Sequence, residues 1–157
     1  YIYSFFPDMQ DLKALNSREK KEIYKLLDSQ FGHTEKFEVI FLRNSKDKIF
    51  FLTNDYMDLD VTNLRVNNKA MYFAKIERDG LRMNIEGAQL LKATKNVIDL
   101  NKEEAHAWML GDDIAHKGNE GYVLLRYKKD ILGCGILKAD NIRNMVAKER
   151  RLHSVTE

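Results

Sequence analysis

Two β-rich runs, Gly121-Tyr-Val-Leu-Leu-Arg-Tyr127 and Ile131-Leu-Gly-Cys-Gly-Ile-Leu-Lys138, meet at Lys128-Lys129-Asp130. Runs this dense in Val, Ile, Leu and Tyr, broken by a short polar segment, commit the chain to a strand pair. Gly133-Cys134-Gly135 interrupts the second run. Glycine inside a strand gives room for a close backbone approach or a bulge. A phosphate loop is the poorer explanation, because no Gly-Lys-Ser/Thr follows into a helix. Arg and Lys flank the break and recur in the segment from Asn141 to Leu152, so the last third reads as a cation-bearing β-surface with no catalytic group on it. A polyanion, RNA above all, is the partner such a surface fits.

The 157 residues are 44% apolar with a single proline, enough for a real core in one ordinary domain or two very small ones. A lone cysteine, Cys134, excludes an internal disulfide framework and a Cys-rich zinc site. A cytoplasmic home follows as the expectation. No apolar run approaches the ~20 residues of a membrane span. The sequence opens on Tyr1, without the basic start and cleavage site of a secretory signal.

Net charge is +2 but unevenly placed: from residue 117 onward there are 9 Lys and Arg against 5 Asp and Glu, and the rest of the chain is slightly acidic. A bias of that kind steers a nucleic acid towards one face.

Periodicity predicts a helix from Leu15 to Gly32, with Ile23, Leu26, Leu27 and Phe31 on one side, Asn16 or Ser17 as N-cap and Gly32 as the stop. A hairpin follows, Phe37–Leu42 and Lys48–Thr53 around Asn44–Asp47. A short helical turn is expected at Asp55–Asp58, and a second strand pair at Asn63–Val66 and Ala70–Ile76. Asp79-Gly80 turns the chain into Leu81–Ile85, and Glu86–Leu91 suits one or two helical turns. A second module opens near Thr94: a short strand Asn96–Leu100, a helix Lys102–Leu110 capped by Asn101 and ended by Gly111, a loop Asp112–Glu120, and then the strand pair. The expected domains are 1–93 and 94–157. The class is α+β, with short helices covering antiparallel strands and no flexible linker to hold the halves apart.

Chemistry is sparse. His33, His106, His116 and His153 lie far apart without metal-ligand spacing. Cys134 reads as a buried small hydrophobe rather than a nucleophile. The acidic pairs Asp58/Asp60, Glu103/Glu104 and Asp112/Asp113 read as solvated surface. Phe37, Phe41, Phe50, Phe51, Tyr72 and Phe73 suit core packing, whereas Tyr127, flanked by Arg126, Lys128 and Lys129, is expected to face outward.

Leu110-Gly-Asp-Asp-Ile114, then Gly121-Tyr-Val-Leu-Leu125, then Ile131-Leu-Gly-Cys-Gly-Ile-Leu-Lys138 resembles a PUA domain, the small RNA-binding fold named for pseudouridine synthases and archaeosine transglycosylases. The pattern is similar to the PUA-like tail of the Sun/Fmu ribosomal RNA 5-methylcytosine methyltransferases. Lys148-Glu-Arg-Arg151 stands in its basic last position, without the proline common there. The first half, with its capped helix, its Phe-rich hairpin ending in Phe51-Leu-Thr-Asn54 and its later strand pair, resembles the N-terminal domain of the nuclear import protein seven family, which helps mature ribosomal subunits. The resemblances imply a pre-PUA-like α/β module followed by a PUA-like β-barrel. They also imply a non-catalytic RNA-binding role in ribosomal or transfer RNA maturation. Neither the glycine-rich cofactor loop nor the Thr-Cys and Pro-Cys settings of a Sun-type methyltransferase occur, so no cofactor and no enzymatic activity are expected of these residues.

The expected RNA contacts are Arg126, Lys128, Lys129, Lys138, Arg143, Lys148, Arg150 and Arg151, with Tyr127 beside them. Resemblance to PUA domains adds the loop at Gly111, laid against the RNA backbone. The expected partners are ribosomal or transfer RNA, and beyond them a ribosome-assembly factor or an RNA methyltransferase. The competing view is a protein-docking adaptor using an apolar N-terminal face without direct RNA binding.

Overall fold

The computed structural model describes residues 11–53, 70–148 and 151. The expected helical turn at 55–58 and strand at 63–66 lie outside the described residues. The first helix, α1 (Ser17–Phe31), begins on a reciprocal cap: Asn16 accepts from the Glu19 N–H, and the Glu19 carboxylate accepts from the Asn16 N–H. Pairing both orphan donors in this way is worth about 1 kcal/mol. Gly32, at φ 69°, ends the helix with its N–H returned to Asp28.

Five antiparallel strands follow one another as neighbours in the first sheet: β1 (Lys13–Ala14), β2 (Val39–Arg43), β3 (Lys48–Thr53), β4 (Met71–Glu77) and β5 (Gly80–Met83). Strand β1 carries no alternation in its sequence and exists only because its two residues pair with Arg43 and Leu42. A short helix, α2 (Ile85–Leu90), and β6 (Val97–Asp99) then lead to α3 (Lys102–Met109), capped by Asn101 and Glu104 just as α1 is by Asn16 and Glu19.

The second sheet holds β6, β7 (Ile114–Ala115), β8 (Gly121–Tyr127), β9 (Asp130–Lys138) and β10 (Asn141–Asn144) in the order β6-β8-β9-β10-β7. Three expectations are corrected here. Strand β6 runs parallel to β8, so the sheet is mixed. The 112–120 loop contains β7. Residues 141–144, expected as the start of a basic tail, form a strand between β9 and β7, because buried Ile142 alternates with exposed Asn141 and Arg143 and fills the core behind β9. The end strands β6 and β7 do not pair with each other in the described residues, so the sheet is open.

The glycines of β9 answer both readings of that motif. Leu125 pairs with Gly133 but Arg126 with Ile131, so Leu132 is an extra residue, a bulge. Trp108 of α3, fully buried, lies across the strand. A Cβ on Gly135 would stand 2.8 Å from the Trp108 ring and from the Arg143 carbonyl.

One core cluster joins the halves: Ile23, Leu27 and Phe31 of α1 and Phe41, Phe51 and Phe73 of the first sheet pack with Tyr122, Leu124 and Cys134 of the second. A second cluster lies on the other side of β8, where Val123, Leu125, Leu137 and Ile142 meet Trp108. Among the described residues no helix is long and apolar enough to cross a membrane.

Candidate nucleic-acid interface

Because alternate residues of β8 enter different clusters, the strand pair is covered on both faces, and its cations are confined to ends and edges. Arg126, at the end of β8, is engaged by Asp99 of β6: Nε donates to Oδ1 at 2.6 Å and Nη2 to Oδ2 at 3.1 Å. The hydrogen bond from Arg126 holds the Asp99 carboxyl below its usual range, and Asp99 raises the guanidinium in return. Arg126 meets an outside anion only in competition with that fork.

Tyr127 is corrected. It shares a face with Val123 and Leu125, and its ring is half-buried against the Trp108 cluster. The flanking cations suggested exposure, whereas strand alternation decided the side. Lys128 and Lys129 form the exposed two-residue turn that closes the hairpin, with Tyr127 paired to Asp130 and Lys128 in the left-handed region at φ 56°. The Lys128 ammonium sits 5.4 Å from the Tyr127 ring centre.

Lys138 ends the nine-residue β9, roughly 26 Å from that turn at about 3.3 Å per residue. It shares a face with Arg143, since Lys138 pairs with Asn141 and Ile136 with Arg143. Diagonal neighbours of this kind are about 7–8 Å apart. Lys148 is exposed, and its carbonyl accepts from the Arg151 N–H. Arg151 lies on Gly111: its Cδ occupies the space 2.7 Å from where a Cβ would be, its Nε donates to the Val146 carbonyl, and Gly111 has φ 104°. The PUA-derived Gly111 and the tail cation Arg151 thus belong to one spot, and Arg150 lies outside the described residues.

The expected set therefore divides into the turn at Lys128 and Lys129, the pair Lys138 and Arg143, and the corner of Gly111, Lys148 and Arg151. Lys128, Lys129, Lys138, Arg143 and Lys148 are exposed and make no ion pair among the described residues.

Sequence reasoning missed Asn144, which holds that corner. Buried at 7% exposure, its Nδ2 donates to the carbonyls of Trp108 and Asp112, its Oδ1 accepts from the Val146 N–H, and its own N–H donates to Asp113. Asn at an inward position of a strand was the available signal, since a buried amide has to be satisfied. Cys134 is the buried hydrophobe expected: loss of hydration pushes its thiol up to about 12.

Residues 95–152 match the family model described as the methyltransferase RsmF PUA domain. The chain is 26% identical over 153 residues to the ribosomal RNA small subunit methyltransferase F of Vibrio parahaemolyticus, covering 92% of this chain and 31% of that protein. It is 26% identical to the protein of the same name from Vibrio atlanticus, covering 66% of this chain and 23% of the relative. The Vibrio cholerae protein is 22% identical over the same share of this chain. The chain spans less than a third of the length of these relatives, and the Vibrio parahaemolyticus alignment runs through both sheets.

Proposed function

We propose that this PUA-domain protein, which resembles the PUA-like tail of ribosomal RNA methyltransferases, is a non-catalytic RNA-binding unit acting in ribosomal RNA maturation. In this reading residues 1–93 are the pre-PUA-like module and 94–157 the PUA-like RNA-binding domain. The unit works in the cytoplasm, and RNA and a methyltransferase catalytic domain are its partners.

The observation that carries the reading is the group of exposed C-terminal cations without ion-pair partners among the described residues. Each such Lys or Arg releases a counterion when it meets a phosphate, so its contribution is sequence-independent and salt-sensitive. Gly111 adds a different element: lacking a Cβ, it lets the Arg151 guanidinium lie flat on the loop after α3, which gives the RNA backbone a fixed charge rather than a mobile one.

The test is binding of ribosomal RNA fragments across a salt series, with a variant in which Lys128, Lys129, Arg150 and Arg151 become Gln. Steeply salt-dependent binding is expected, and the variant should lose at least tenfold in affinity. No binding at low salt overturns the reading in favour of a protein-docking module, and equal binding by variant and parent removes these cations from the RNA interface.

A further inference from the structure

A groove among the described residues lies away from the C-terminal cations. It runs between α1 and the segment leading into β2, has a volume of about 650 Å³, and is lined by Lys20, Lys21, Lys36, Tyr24 and Phe37. A second hollow of about 390 Å³ adds Lys25 and His33 and shares Lys21, Tyr24 and Lys36 with the first, so the two make one trough.

Its chemistry is paired in a specific way. Lys20, Lys21, Lys25 and Lys36 are all exposed, and none makes an ion pair among the described residues. Asp28 and Glu38 are the acidic residues that line the trough, so it keeps an excess of positive charge. Between the lysines stand two half-buried rings: Tyr24, whose hydroxyl accepts from the Phe37 N–H at 3.0 Å, and Phe37, with ring centres 6.2 Å apart.

Phe37 is held from behind by His33, stacked at 4.6 Å and 18°. His33 is itself fixed, because Nδ1 accepts from the Lys92 N–H at 2.9 Å. That bond puts the proton of the neutral ring on Nε2, a buried donor that has no acceptor among the described residues. Rings locked in this way lose little entropy on receiving a planar ligand. Lysines spaced along one helix side are placed to follow a phosphate backbone. Cations with stacking rings between them are the arrangement that grips unpaired nucleotides without reading their sequence.

We propose that this trough binds a single-stranded RNA segment, with phosphates on Lys20, Lys21, Lys25 and Lys36 and a base against Tyr24 and Phe37. The ligand class rests on the RNA reading above, but the site is separate from the C-terminal cations. It gives the N-terminal half an RNA contact of its own.

The experiment measures binding of a fluorescein-labelled decauridylate to the full chain by anisotropy across a salt series. Lys20, Lys21, Lys25 and Lys36 changed together to Gln should weaken binding at least tenfold and lower the salt slope by about 3, at roughly 0.7 per lost single-strand phosphate contact. Phe37→Leu, checked for folding by its melting temperature, should weaken binding at least fivefold through lost stacking. A decauridylate affinity unchanged by the four lysine substitutions overturns the proposal. Displacement of the decamer by a polyglutamate peptide of equal charge at a lower concentration than unlabelled decauridylate requires also overturns it, in favour of an acidic protein ligand. If only the C-terminal variant loses ribosomal RNA and the trough variant behaves like the parent, the trough fails while the RNA function stands. If neither RNA binds, both fail.

Discussion

Cys134 lies between two glycines on the face of β9 turned towards the first half, 2% exposed, with its Sγ 3.8 Å from the Gly135 carbonyl. Burial holds the proton on the sulfur, raising the thiol from 9.0 in the unfolded reference to about 12. The folded state therefore binds this proton more tightly than the unfolded chain does. The resulting stability is complete below pH 9 and is lost as pH rises from about 9 through 12, by at most about 1.4 kcal/mol per pH unit. Urea unfolding of the parent and of Cys134→Ala between pH 7 and 10.5 should show a steeper alkaline decline in the parent. The native thiol should also resist a thiol reagent at pH 8 and react once unfolded, because the thiolate is the reactive form.

Among the elements, the β8–β9 hairpin combines a bulge at Leu132 with a turn residue, Lys128, in the left-handed region, where a side chain costs roughly 1–2 kcal/mol. Glycine pays no such penalty, although it loses more entropy on folding. Lys128→Gly should then leave stability unchanged or raise it by up to about 1 kcal/mol, while weakening RNA binding through the lost charge. Denaturant midpoints and RNA affinity measured on the same preparation check this. An RNA affinity unchanged by the substitution would show that the strained lysine has no binding role.

For the molecule as a whole, the junction between the halves is polar as well as apolar, and the residue at its centre is Gln30. Within the first half the Gln30 amide caps the open edge of β5, with Nε2 donating to the Leu81 carbonyl at 3.0 Å and Oε1 accepting from the Leu81 N–H at 2.6 Å. Tyr122 of the second sheet donates to Asp79 at 2.8 Å in the turn before β5. Burial, and then that bond, raise the Tyr122 hydroxyl above its usual range. Asn96 donates to the Gln30 carbonyl, and Thr94 to those of Phe31 and Gly32. Gln30→Ala leaves two backbone groups of β5 without partners, at a cost of about 2–3 kcal/mol. Hydrogen exchange should quicken at Leu81 and at Tyr122 together if the halves unfold as one unit. Faster exchange at Leu81 alone would show two independent units.

The helices, the Asn101 cap, a cap at Asn16 or Ser17, the stop at Gly32, the β2–β3 and β8–β9 hairpins and the glycine-marked close approach in β9 were legible in the chain, because capping, periodicity and strand alternation act over a few residues. The PUA signature was legible for the same reason, being a run of local turns and strands in fixed order. Strand β10, the parallel pairing of β6, the inward side of Tyr127 and the Asn144 hub were decided only by tertiary structure. Each depends on which distant residue fills the facing space: Trp108 for Tyr127 and Asn144, Ile114 for Ile142. The same holds for the trough, whose lysines are spaced along a helix that the sequence presents as an ordinary solvated face. Only the return of Lys36 and Phe37 beside Tyr24 turns that face into a lined groove, since proximity across the fold, and not spacing along the chain, sets where charge and rings meet.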